Sequence, residues 1–559
     1  MPVRAELTRR RLLSALLLVA VLPATLAFTA VSYSTPAPPP GAPTYNPVPL
    51  DRNEVLIALL NREVQRGRRV IAAATPEQQG PQLLPATVSD PLPLVFLPAR
   101  TEPYDLTQVQ ASIPSVFEQS DDGLLMRASI VMPEGAQLTI SGKDTPILRL
   151  ASSPTGFATI IALGGTLSVQ GTTREPVAIS SWDPDNRAVD LNPSDGRSFL
   201  LTMGGRMNLA HSDVGYLGFG TGTSSGVAWR SADHVTTDVV TDPALGEVTN
   251  TVLHHNWFGA YTFEAEGMRW AGNTFADNVA YGFDPHDRSN NFVVENNVAY
   301  GNGRHGFIFS RGCDNNVMRD NVSYDNRGHG FMIDDGRSAD ADYADASRLD
   351  SNFNRVIGNH AYDNDGNGIE IEGGEGNIVS GNLVERNHVG VRLKNGASAV
   401  VSENTIDDNA LAGVDVLRNT GTVDVTDNTI SGGWASIALG VANGATLADN
   451  SLRDASTPLA VAGEAVRGED FAGSIGRVFS WNPLLVLWTA ILGVPAILGF
   501  HRLSRWIVAG VSAPFRSKPR DALNFYIPSA TDYSGRHVRK RGRTSSRPRT
   551  REFHNTNSR

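Results

Sequence analysis

From about Leu125 to Asn450 the chain alternates apolar and polar residues in short runs, with Asn, Asp and Gly between them. Asn297-Val298-Ala299-Tyr300 and Gly306-Phe307-Ile308-Phe309 are two such runs. A period of two belongs to a strand with one covered face, and no apolar stripe at helical spacing interrupts it. Gly and Asn between the runs accept the positive φ that tight turns require. Aligned on asparagine, the pattern restarts at Asn273, Asn297, Asn321, Asn359, Asn382, Asn404, Asn428 and Asn450. The starts lie roughly 22 to 24 residues apart, with one longer gap after Asn321 that holds an acidic insertion, Gly336 to Asp350, expected to be a loop. Short strands repeated at this period predict an all-β solenoid, a right-handed parallel β-helix with an asparagine ladder inside one turn. A leucine-rich repeat would need a Leu consensus and a helical half, and neither is present.

Less regular strands before the repeats, such as Ser129 to Ile140, Thr159 to Ile161 and Thr166 to Val169, extend the solenoid towards the N-terminus. The expected layout is a membrane anchor or signal at 1–33, a Pro-rich linker with a short helix (Glu54 to Arg66) at 34–105, the β-helix at 106–470, a membrane span at 478–500 and a basic tail at 501–559. The first apolar run follows Arg9-Arg10-Arg11 and is long enough to span, although the arginines loosely match an export signal. Val478 to Phe500 is free of charge, and its two prolines are tolerable in a spanning helix.

Charge fixes the orientation of this layout. Beyond residue 500 the 14 Lys and Arg face three acids, about +11, so a formal net charge of −10 leaves about −21 for the rest. Positive flanks stay on the cytoplasmic side. Both termini are therefore expected inside the cell and the β-helix outside it, with the membrane as a partner. The tail follows a hydrophobic span, so orientation and lipid contact are expected of it rather than nucleic-acid binding. The single cysteine, Cys313, excludes an internal disulfide and an all-cysteine metal site, and is expected to be a small buried residue.

Setting the repeats in register aligns Gly282, Gly306, Gly330, Gly368 and Gly390, so Phe283, Phe307, Phe331, Ile369 and Val391 point inwards. Four residues past each glycine an outward column reads His286, Ser310, Asp334, Glu372 and Lys394, expected to face solvent, with Glu264 one coil before His286 by an approximate register. His286 follows a proline, lies between Asp284 and Asp287, and has Tyr281 before it and Arg311 on the next coil. An imidazole, a phenol and a guanidinium on adjacent coils are the parts needed to remove a proton next to a carboxylate.

These residues also carry a resemblance. Tyr281-Gly-Phe-Asp-Pro-His286-Asp resembles the signature of mannuronan (alginate) C5-epimerases, and Arg304-His-Gly-Phe-Ile-Phe-Ser-Arg311 resembles that family's following coil. The resemblance implies a right-handed parallel β-helix that epimerises β-D-mannuronate to α-L-guluronate within the polymer. It makes His286 the base at C5, Tyr281 the proton donor or its partner on the opposite face, Arg311 the neutraliser of the uronate carboxylate and Asp284 the group that orients His286. Asp287, Arg288, Arg304, Glu264, Asp334 and Lys394 are the expected substrate contacts. Because the body is acidic and the substrate anionic, a local basic lane is expected from Arg269, Arg288, Arg304, Arg311, Arg392 and Lys394. No cofactor is expected, with Ca2+ left open, and envelope proteins of polysaccharide synthesis or export are candidate partners. A polysaccharide lyase shares the first step, and a non-catalytic glycan-binding envelope protein would use the same stripe. A glycoside hydrolase would instead need paired carboxylates, for which Glu264, Asp334 and Glu372 are available.

Overall fold

A computed structural model of the chain describes residues 54–461 apart from short segments, the longest being 337–348. The apolar stretches at 1–33 and 478–500, the Pro-rich stretch and the basic tail lie outside the described residues. Among those described, no helix is long and apolar enough to cross a membrane.

The described strands stack into three parallel sheets, each taking one strand per coil. The sheet that carries His286 has 15 strands in the described residues; its middle members are Ala260–Phe263, Phe283–His286, Phe307–Phe309, Phe331–Ile333, Ile369–Glu372 and Val389–Lys394. Its register pairs Phe283 with Phe307, Phe307 with Phe331, Phe331 with Ile369 and Ile369 with Val391, as the glycine column required. Winding begins earlier than residue 106, because Leu94–Phe96 and Tyr104–Asp105 already pair in parallel with Ser129–Pro133 and Gln137–Ser141. Sequence placed these strands in the linker since no repeat can be seen in a single coil. The helix before them, α1 (Glu54–Ala73), runs past Arg66. It lies on the outer face of the same sheet, with Gly67 against Val131 and Leu163.

The inner faces close one continuous apolar core, with aromatic rings concentrated under the His286 strand. Trp270 packs 4.5 Å from Phe283, and Phe307 stacks on Phe331 at 5.0 Å. Such stiff neighbours hold a three- or four-residue strand in place.

The turns are built on buried asparagines, in three ladders where sequence anticipated one. The anticipated ladder is present: Asn297 Nδ2 donates to Asn321 Oδ1 at 2.9 Å and to the Trp270 carbonyl at 3.0 Å. A second runs through Asn278, Asn302, Asn326, Asn364, Asn387 and Asn409, and a third through Asn316, Asn354 and Asn377. Each amide satisfies backbone groups that a tight turn would otherwise bury unpaired. The second ladder passes beneath the glycine column, where a side chain on Gly282 would meet the Gly306 carbonyl at 2.5 Å. That steric limit is why the column is glycine.

Candidate functional site

The outward face of the His286 sheet changes character along its length. Over the early coils it is apolar, with Val131, Ile161, Phe199, Leu201 and Ala228, and it ends in Tyr261 and Phe263 one coil before His286. From His286 onwards its own column is polar, through Ser310, Asp334, Glu372 and Lys394, while Ile308 and Met332 keep the neighbouring column apolar as far as Glu370. This face was expected in solvent, yet His286 is 6% exposed and Asp284, Asp334 and Glu372 are 0% exposed. Groups so covered must pair or give up their charge, and both occur: His286 and Glu372 are in ion pairs, whereas Asp284 Oδ2 and Asp334 Oδ2 have no hydrogen-bond partner among the described residues.

His286 is held from below by rings and from the side by a carboxylate. Its imidazole lies 6.1 Å from the stacked Phe263 ring and 5.8 Å from Tyr261. Asp287 Oδ1 is 2.6 Å from Nδ1. The same carboxylate takes Arg311, whose Nε donates to Oδ1 at 3.1 Å while Nη2 reaches Oδ2. Asp287 therefore bridges base and guanidinium, an ion triad spread over two coils. The ring contact expected from Asp284 is made instead by Asp287, because strand alternation leaves Asp284 two residues away on the same face. Asp284 accepts a hydrogen bond from Ser310 Oγ at 3.4 Å. Asp287 and Arg288 leave the strand at φ 21° and 57°, which turns the Asp287 carboxylate back onto the ring.

The electrostatics follow from burial and pairing. Burial opposes a charge on His286, but Asp287 and Asp284 outweigh it and lift the imidazole above its ordinary value. Burial works against Asp287 too, and His286 with Arg311 nevertheless holds it far below the usual carboxylate range. Asp284, buried with weaker compensation from His286, is pushed up to about 7. Burial likewise keeps Tyr261 protonated well above the ordinary phenol range.

The other anticipated contacts fall into separate groups. Tyr281 is fully buried and stacks on His305 at 5.4 Å, which stacks on His329 at 4.7 Å. Burial holds both histidines neutral, His305 well below its ordinary value and His329 near 4. Arg304 is also fully buried, 5.3 Å from the Tyr281 ring, and so supports that column from within. Glu264 is in step with Asp287 rather than His286, because Phe263 is the true partner of His286. It accepts from Ser231 Oγ at 2.5 Å and pairs with Arg288.

Lys394 is engaged by Glu370 at 2.7 Å and Glu372 at 3.2 Å, and Arg392 by Asp415 at 2.9 Å. Arg269 lies on a different sheet, between Glu247 and Glu295. Apart from Arg304, the basic lane is thus a set of ion pairs, in which Arg311 and Arg288 engage the carboxylates next to His286. Asp334 is pushed up to about 7 by burial and by neighbouring Glu372. Asp334, Asp335 and Glu372 bring carboxylate oxygens within 4.8 Å of one another, where a cation would find ligands, although Glu372 already holds Lys394 and Asn395. Cys313 is buried, as expected, and burial raises its thiol well above the ordinary range.

Sequence reading missed Tyr261, Phe263 and the His305–His329 stack. The signal existed in the glycine column, which continues backwards to Gly259; extending it by that one coil sets Tyr261 beside Asp284.

A family model for the right-handed beta helix region matches residues 235–345 and 339–452. Mannuronan C5-epimerase of Pseudomonas putida is 29% identical over 321 residues, 56% of this chain and 57% of that protein. Mannuronan C5-epimerase AlgG of Azotobacter vinelandii is 30% identical over 214 residues, 37% of this chain and 39% of that protein. The matches therefore span about half the length of these curated relatives or less. The crystal structure of a periplasmic alginate epimerase, AlgG, superposes with a TM-score of 0.58 at 22% identity, covering 65% of this chain and 86% of that one. The shared fold is the right-handed parallel β-helix.

Proposed function

We propose that this chain, a right-handed β-helix protein of the mannuronan C5-epimerase-like family, is an isomerase that inverts C5 of uronate residues within an anionic polysaccharide of the mannuronan or alginate type. One observation carries the reading: the His286–Asp287–Arg311 triad on two adjacent coils, at the edge of an aromatic floor, with His286 and Asp287 inside the signature heptapeptide.

With Nδ1 held by Asp287, Nε2 is the working nitrogen of His286. It takes the C5 proton, and the electron pair spreads into the carboxyl group, where Arg311 opposes the growing charge. Return of a proton from water on the other face inverts the centre, and His286 gives the proton it took to solvent. Tyr281 acts through the column it shares with His305, and Asp284 acts through the field it places on His286. Asp334 and Lys394 belong to the ion pairs that line the next coils of the polymer path; a Ca2+ ion taken up with the polymer would find ligands at Asp334, Asp335 and Glu372.

The same reading sets the β-helix outside the cytoplasmic membrane, anchored through 1–33 and 478–500 with the tail 501–559 inside, beside proteins of polysaccharide synthesis or export. Its support is the charge pattern of the sequence.

The test is incubation of the protein with polymannuronate in deuterated water. Deuterium at C5 and new guluronate signals, without chain cleavage, are expected in proton NMR. An unsaturated product absorbing in the near ultraviolet would replace the epimerase with a lyase.

A further inference from the structure

The triad leaves one electrostatic demand unmet. Arg311 is committed to Asp287 through both Nε and Nη2, so its charge is shared before any uronate arrives. When C5 loses its proton, the carboxyl group of the substrate gains further negative charge, and a neutral O–H aimed at it would stabilise that state. A neutral donor also has the merit of adding no attraction for the ground-state carboxylate beyond a single hydrogen bond.

Tyr261 is such a group. Strand Ala260–Phe263 sets it directly beside Asp284, one coil from His286, with its ring 5.8 Å from the imidazole. The side chain is 6% exposed, with its ring packed among the apolar residues of the outer face. Arg230, Asp284, Asp287 and Arg311 all act on it electrostatically, so the phenol lies within the field of the triad. Burial keeps its proton in place. A phenol beside a base, with its ring fixed by packing, is placed to give its O–H to a ligand bound there.

We infer that Tyr261 is a further catalytic residue, donating its O–H to the carboxyl oxygen of the uronate bound over His286. In this step the C5–H bond breaks, the proton goes to His286 Nε2, the electron pair enters the carboxyl group, and Tyr261 keeps its own proton. The inference rests on the epimerase reading above.

Tyr261→Phe keeps the packed ring and removes only the hydroxyl oxygen, so the fold should tolerate it. On polymannuronate in deuterated water, the variant is expected to lose about 100-fold in the rate of C5 exchange, with KM within about twofold and the melting temperature unchanged. Exchange within about threefold of the parent, or a loss confined to KM, would overturn the catalytic role and reduce Tyr261 to part of the apolar floor. A parent protein inert towards polymannuronate, polyguluronate and polygalacturonate would overturn the epimerase reading itself, and Tyr261 with it.

Discussion

Replacing Asp287 by Asn separates the triad's electrostatic work from its shape. Asp287 lies 2.6 Å from His286 Nδ1, and it also engages Arg311. Taking charge centres ~4 Å apart and an effective dielectric of ~20, a single such pair is worth on the order of 4 kcal/mol. Arg311 opposes charge on His286 and cancels part of this. A net loss of roughly 1.4 to 3 kcal/mol corresponds to about one to two pH units. Burial, which lowers the imidazole, would remain while the main group raising it is gone.

The base must be neutral to accept a proton, so the acid limb of kcat/KM reports its pKa. In the parent protein this limb should lie above 6.5, the ordinary histidine value. In Asp287→Asn it should move to lower pH by about one to two units, while the plateau falls because Nδ1 loses its anionic partner. The assay is C5 deuterium exchange on polymannuronate between pH 4 and 9. An acid limb that stays in place, or moves up, would refute the argument that Asp287 sets the basicity of His286. Stability follows the same sign: a raised histidine stabilises the fold below its unfolded pKa, and this is lost as pH climbs through the folded value. The parent's advantage over Asp287→Asn should therefore be largest under mildly acidic conditions and shrink above neutrality. Its acid limit is set by Asp287 itself, whose depressed value stabilises the fold only until it too is protonated.

Two further substitutions test the scaffold. Gly336 has φ 75°, and a β-carbon there would lie 2.2 Å from Arg311 Cδ. Gly336→Ala should displace the guanidinium and reduce C5 exchange at least tenfold in the parent, yet cost little more in an Arg311→Ala background; additive losses would show that Gly336 acts elsewhere. Asn302→Ala removes four hydrogen bonds of the second ladder, two accepted from Asn278 and two donated to Phe275 and Asn326. At about 0.5–1.5 kcal/mol each, the loss should be roughly 2–6 kcal/mol in denaturant titration of the β-helix, and a change under about 1 kcal/mol would contradict a structural role for the ladder.

The repeats were legible because every coil needs the same parts: an asparagine to close a turn, a glycine where turns touch, and an apolar residue on alternate positions. His286, Asp287 and Arg311 could be brought together from register alone. Burial of the stripe could not, since it depends on which residues on neighbouring coils neutralise one another. Lys394 and Arg304 look like free cations in sequence, yet one is taken by Glu370 and Glu372 and the other is enclosed beneath Tyr281. Whether Asp284 or Asp287 reaches the imidazole was equally hidden, because it turns on two φ angles beyond the strand. The first coil escaped notice for a different reason: a period is invisible until it has been repeated.

The rungs from Asn316 to Asn354, Asn321 to Asn359 and Asn326 to Asn364 each span 38 residues, against 24 for the rungs before them. Their hydrogen bonds stay between 2.9 and 3.3 Å. The scaffold is therefore indifferent to how much chain leaves at Gly336 and returns at Leu349, a corner that touches Arg311 and Gly312. The step from coil to coil is thus set by the rungs, at 38 residues as at 24.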